Sequence, residues 1–97
     1  MIDEHEWRSV LQVAKDGTFS AAAKHLYISQ PSLSQCIKKV ETELGVRLFD
    51  RSQTPLALTP AGTIYVRQAK EILRIQQSLV QEVADLSELR TGSLTIG

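Results

Sequence analysis

Cys36 is the one thiol of this chain, a possible nucleophile, and His5 and His25 are its two imidazoles, possible bases or zinc ligands. A cysteine nucleophile needs a nearby base and an exposed thiolate. Cys36 instead flanks the apolar spacing Leu33, Ile37, Val40 and reads as a partly buried structural thiol. Zinc calls for four ligands at set spacing, which one cysteine and two distant histidines do not supply. No glycine-rich phosphate loop and no pair of carboxylates suited to a shared pocket is present. These residues point away from an enzyme. A lone cysteine cannot close an internal disulfide, which fits a reducing, cytoplasmic setting.

A different chemistry is offered between residues 29 and 42. On a helical wheel Leu33, Ile37, Val40 and Leu44 form one apolar stripe, and Pro31, Ser34, Gln35, Lys38 and Thr42 fall on the opposite face. That face is polar and carries no acid, and the first carboxylate, Glu41, comes near the helix end. Hydroxyl and amide groups suit the edges of bases, a lysine suits phosphate, and the free N–H groups of a helix start favour anions. An ordinary solvated face, with Glu and Lys mixed, is the plain alternative.

This face needs a frame, and the local signals supply one. Asp3 and Glu6 have capping-box spacing, Trp7, Val10, Leu11 and Ala14 follow helical periodicity, and Gly17 marks the stop. A short second helix follows, with Ser20 as its expected cap and Phe19, Ala22, Ala23 and Leu26 facing inward. Tyr27, Ile28 and Ser29 make a tight connection. Ser29 is a good N-cap and Pro31 is harmless in a first turn, so the third helix should run from about Gln30 to Leu44 and end at Gly45. Val46, Leu48 and Phe49, then Leu56 to Leu58, read as two short strands around a polar turn. Thr59-Pro60 opens a long last helix.

Along that helix Tyr65, Ile72, Leu79 and Leu86 recur every seven residues, with Ala69, Gln76, Val83 and Val66, Leu73, Val80 as parallel rows. At about 1.5 Å per residue the helix exceeds about 40 Å. A domain of about 60 residues cannot cover such a stripe, so it calls for another chain or domain. Tyr65, Ile72, Leu79, Val83 and Leu86 are the expected dimerisation residues. A helical dimeriser without nucleic acid is the second alternative.

The order of helix, short helix, tight turn, helix and hairpin is that of a winged helix-turn-helix. The expected architecture is therefore mainly α: three helices plus a two-stranded wing, then a long linker and dimerisation helix. The expected division is 1–59 for the winged unit, with the helix-turn-helix at about 19–38 and the wing at 46–59. The linker helix takes 60–90, and 91–97 would open a further domain. Net charge is zero, from 11 basic and 11 acidic residues, but the distribution is uneven. No acid lies between Asp16 and Glu41, or between Asp50 and Glu71. A neutral chain can thus carry one positive face. No signal peptide is read at the start, and no apolar run approaches a membrane span.

The run from Phe19 to Arg51, with its alanines, Leu26, Ser29-Gln30-Pro31, Ser34, Ile37, Glu41, Leu44-Gly45 and Leu48-Phe49-Asp50-Arg51, closely resembles the LysR-type transcriptional regulators. Leu58-Thr59-Pro60-Ala61-Gly62 extends the resemblance, and Ser93 to Gly97 resembles the first strand of that family's effector-binding domain. The resemblance implies a third helix in the major groove of double-stranded DNA, with contacts at Gln30, Pro31, Ser32, Ser34, Gln35 and Lys38. It implies that Ser29 caps that helix and touches phosphate, and that the wing reaches the adjacent minor groove or its phosphates, contributing Arg51 and the position of Thr54. Two positions depart from the family pattern: Gln35 stands where arginine is common, and Thr54 where a basic residue is common. Arg to Gln replaces a guanine reader by one that leans to adenine. The resemblance further implies a homodimer through the linker helix, a tetramer for a full-length protein, contact with RNA polymerase, and no cofactor here beyond a small-molecule effector bound by the further domain.

Overall fold

The computed structural model describes residues 2–91, and the strand expected at Ser93 to Gly97 lies outside the described residues. Four helices and one small sheet follow in the order α1 (Glu4–Asp16), α2 (Phe19–Leu26), α3 (Gln30–Leu44), β1 (Phe49–Asp50), β2 (Ala57–Leu58) and α4 (Pro60–Thr91). The first three helices each start on a side-chain oxygen. Asp3 accepts from the Glu6 N–H at 3.0 Å, Thr18 from Ala21 at 3.1 Å and Ser29 from Ser32 at 3.2 Å. Ser20, the expected cap of α2, is an exposed residue inside it. Gly17 ends α1 in the left-handed conformation, which leaves Thr18 extended, and an extended residue is the one that can cap. The capping box at α1 is only half made. Asp3 accepts, but the Glu6 side chain is buried and its Oε2 meets Lys39 Nζ at 3.1 Å.

The core is built from Val10, Val13, Ala22, Ala23, Leu33, Ile37, Val40, Leu48, Phe49 and Val66. The small Ala22 and Ala23 let α2 approach its neighbours closely. Leu44, expected in the buried stripe of α3, is 37% exposed, and Glu41 is buried in its place. The reason is the chain that follows. Beyond Gly45 it brings the main-chain donors of Leu48 and Phe49 to Glu41, while the side chains of these two residues enter the core. The Leu48 N–H donates to Glu41 Oε2 at 2.7 Å, and the Phe49 N–H to the same oxygen at 3.4 Å. A buried carboxylate with such donors replaces a leucine without leaving an unmet charge.

The wing pairs only two residues on each side, Phe49 with Leu58 and Asp50 with Ala57, antiparallel. Val46, expected in the first strand, lies exposed ahead of it. Asp50 holds the turn, accepting from the Ser52 N–H at 3.0 Å and its hydroxyl at 2.6 Å, which lowers the Asp50 carboxyl from its usual value. The far side of the wing is pinned to the α1–α2 turn: the Leu56 N–H donates to the Gly17 carbonyl at 2.8 Å. A Cβ at Gly17 would stand 2.7 Å from that of Pro55, so both backbone conformation and space reserve the position for glycine.

α4 starts at a shared joint. Thr59 Oγ1 accepts from the Gly62 N–H at 3.0 Å and donates to the Arg47 carbonyl at 2.6 Å, while the Thr59 N–H donates to the Leu48 carbonyl at 3.0 Å. Gly62 lies so close to the Leu48 carbonyl that a side chain there would collide with main chain. Val66 and Ala69 are buried on the core, and Gln76 makes the last polar contact with α1. Beyond it Leu79, Val80, Val83 and Leu86 are all exposed. The seven-residue row that begins at Tyr65 is therefore divided. Tyr65 is half-buried against the chain's own core, its hydroxyl enclosed and pushed up to about 12 by burial first and by Glu6 next. Ile72, Leu79 and Leu86 face outward. Ile75 is also exposed, although none of the sequence rows contains it.

Candidate nucleic-acid interface

α3 is held from behind and open in front. Leu33 and Ile37 are fully buried, and Val40 nearly so, which fixes its rotation about its axis. Its start is ordered by Ser29, whose hydroxyl accepts the Ser32 N–H and also donates to Ser32 Oγ at 2.9 Å. Gln30, Pro31, Ser32, Gln35, Lys38 and Thr42 are exposed, and Ser34, expected fully on the outer face, is half-buried. The helix start and its outward side thus form one continuous polar surface.

The charges sort themselves around this surface. Glu41, the next acid along the chain, is turned inward and satisfied there, while Asp3 and the buried Glu6, from the start of α1, line a shallow depression shared with Ser32 and Gln35. Lys39 leans away to Glu6, whose hydrogen bond and charge raise the lysine above its usual value. Lys38 takes part in no ion pair among the described residues. Neither does Arg47, exposed just beyond α3, and together with Arg51 these residues line a shallow hollow between the end of α3 and the wing. Arg47 is not among the residues expected from the sequence, because nothing local shows that the turn after Gly45 brings it beside Lys38. The available signal is its place in a stretch whose neighbours, Leu48 and Phe49, are buried.

Arg51 is engaged from two sides. Its guanidinium donates to Glu41 Oε1 at 3.0 Å and lies 5.2 Å from the centre of the Phe19 ring. This pairing gives the Leu48-Phe49-Asp50-Arg51 spacing a structural reason: the run places main-chain N–H groups and one guanidinium on the same buried carboxylate. Thr54 is exposed in the turn between the strands. The structure brings residues 29–38 together on one side, with Arg51 sharing the hollow at the Lys38 end, and leaves Thr54 in the turn of the wing.

Cys36 is half-buried between α3 and the start of α1, lining a shallow depression with His5, Glu6 and Lys39. Burial, opposed in part by Ser9 and helped by the charges of Glu6 and Asp3, pushes its thiol up, which works against a reactive thiolate. His25 instead lies 2.8 Å from Asp16 and lowers that carboxyl. Among the described residues no group of three or more metal-ligating side chains comes together, and no helix is long and apolar enough to cross a membrane.

Residues 5–63 match the sequence profile described as bacterial regulatory helix-turn-helix protein, lysR family. The chain is similar to YcgK, an HTH-type transcriptional regulator of Bacillus subtilis, with 43% identity over 89% of this chain and 26% of that protein. It is similar to BsdA of the same organism, with 38% identity over 99% of this chain and 33% of the relative. It therefore spans about a quarter to a third of these curated relatives. Among solved structures it resembles the BenM DNA-binding domain in complex with catB site 1 DNA, with a TM-score of 0.83 at 29% identity, covering 89% of this chain and 97% of that one. It also resembles Vibrio fischeri DarR in complex with DNA, with a TM-score of 0.80 at 28% identity, covering 94% of this chain and 31% of that one. Sequence profile, relatives and fold agree with the geometry of α3 and the wing: the chain belongs to the lysR family of bacterial regulatory helix-turn-helix proteins.

Proposed function

We propose that this chain is the sequence-specific DNA-binding part of a dimeric, cytoplasmic transcription regulator. The observation that carries this reading is the outward side of α3, polar and free of acid from Gln30 to Lys38, made rigid by the buried stripe behind it. α3 enters the major groove, where Ser32, Ser34 and Gln35 meet base edges, and Lys38 meets phosphate. Arg47 adds a phosphate contact beyond those expected from the sequence. Arg51 faces the backbone beside the wing while its other edge stays on Glu41, and Thr54 supplies a neutral wing contact. Two copies associate through the exposed stripe of α4, at Ile72, Leu79, Val83 and Leu86, with Ile75 alongside, and address two half-sites. A small-molecule effector, a tetramer and contact with RNA polymerase belong to the longer protein that the relatives' lengths suggest.

The test is a titration of the chain against a duplex it selects from a random pool, and against a scrambled duplex, over a range of salt. Affinity should fall log-linearly with salt. Lys38→Ala should weaken both duplexes alike and reduce the salt slope by roughly one phosphate, while Gln35→Ala should lose ~1–3 kcal/mol on the selected duplex only. Salt-independent or absent binding refutes the reading, and the reverse pattern refutes the assigned roles.

A further inference from the structure

Tyr27 stands apart from the rest of the chain. It is 95% exposed, far more than any other large apolar side chain described. It is also the one non-glycine residue at positive φ among the described residues, with φ 58 and ψ 40, whereas Gly17 and Gly45 hold the other left-handed helix ends. The role of its main chain is plain, since the N–H donates to the Ala23 and Lys24 carbonyls and closes α2. Glycine fills such a position with least strain. The side chain, by contrast, packs on nothing in the core and makes no hydrogen bond among the described residues. An aromatic side chain held at a backbone position that disfavours it, and left almost wholly exposed by the described residues, contributes through something outside the protein.

Its place in the fold says what that is. Tyr27 is two residues before Ser29, the cap of α3, so its Cα lies within about 7 Å of that of Ser29. When the start of a recognition helix enters the groove, the preceding helix crosses the sugar–phosphate strand. The end of α2 and the turn after it then face that strand, with Lys24 exposed one turn back and in no ion pair among the described residues. A tyrosine hydroxyl is a neutral donor to phosphate oxygen. We propose that Tyr27 is a DNA-backbone contact: its hydroxyl donates to a phosphate flanking the half-site, and its ring lies along the adjoining sugar. This rests on the DNA-binding reading above.

The test uses the 97-residue chain, a duplex it selects from a random pool, and a scrambled duplex. Tyr27→Gly should melt no lower than the unsubstituted chain, because the left-handed position is relieved, yet should bind both duplexes roughly tenfold more weakly. The salt slope should not change, since a neutral donor displaces no counterion. Tyr27→Phe, which keeps the ring, should lose most of the same affinity. A lower melting temperature for Tyr27→Gly would assign the side chain to the fold and overturn the proposal. Full binding by Tyr27→Phe would overturn the phosphate contact, and so would a loss confined to the selected duplex. If the unsubstituted chain binds neither duplex, the underlying reading fails instead, and the two failures are thereby distinguished.

Discussion

The joint where α3, the wing and α4 meet differs in kind from the reach of α4 beyond Gln76. At the joint, Glu41, Leu48, Thr59 and Gly62 interlock through main-chain hydrogen bonds, with no room for one added methyl at Gly62. Along the far reach, Leu79, Val80, Val83 and Leu86 are each more than half exposed. Residues at the joint act on the folding of one chain. The apolar residues of the reach are left uncovered by their own chain, so in the proposed dimer their contribution depends on concentration.

Substitutions can break this contrast, and Gly62→Val should have the largest effect. With a branched side chain forced against the Leu48 carbonyl, the winged unit should lose more than about 4 kcal/mol and fail to melt cooperatively by circular dichroism. A near-normal melt would mean that the joint yields. Glu41→Ala comes next. It leaves the Leu48 N–H and the Arg51 guanidinium without their acceptor, at a cost of roughly 2–4 kcal/mol in urea unfolding. Thr59→Ala should cost ~1–2 kcal/mol by removing the cap and its bond to Arg47. On the reach, Leu79→Lys should change the stability of a dilute chain by under about 0.5 kcal/mol, yet shift its sedimentation toward monomer. An unchanged mass would refute the α4 interface.

The smallest expected effect sits at the border of the two regions. Glu4 accepts from Gln76 Nε2 at 3.0 Å, and Arg8 donates to Gln76 Oε1 at 3.0 Å. Arg8 first, then Gln76, lowers the Glu4 carboxyl from its usual value. A carboxyl lowered by folding stabilises the fold above its unfolded-state value, and that contribution fades as pH falls through the lowered one. The difference in melting temperature between the unsubstituted chain and Glu4→Gln should therefore be present at neutral pH and vanish in acid. A difference independent of pH would show that the carboxylate charge is not what matters.

Local signals are legible in the residues: Asp3, Ser29, Gly17 and Gly45 act within three or four positions of themselves, and α3 begins and ends where its caps stand. Ser20 resembles a cap in the sequence because the left-handed turn at Gly17, which frees Thr18, has no local signature beyond the glycine itself. The exchange of Leu44 for Glu41 in the core is illegible, since it depends on donors that arrive from seven and eight residues downstream. Periodicity likewise groups Tyr65 with Leu79, because it reports a shared face and cannot say which stretch of that face the chain covers for itself. For the candidate site, the polar ridge of α3 is visible as a pattern. Arg47 and Tyr27 are not, because their interest comes from position in space and backbone conformation.

Thr59 carries a mechanical consequence. One hydroxyl belongs at once to the first turn of α4 and to the segment leading into the wing, and Glu41 ties that segment to α3. A torque on the long helix would pass through these bonds to the wing and to α3, so the winged unit and the root of α4 would turn as a single body. In the proposed dimer, a change in the distance between the two winged units would then arise farther out, where the helix has left its own core.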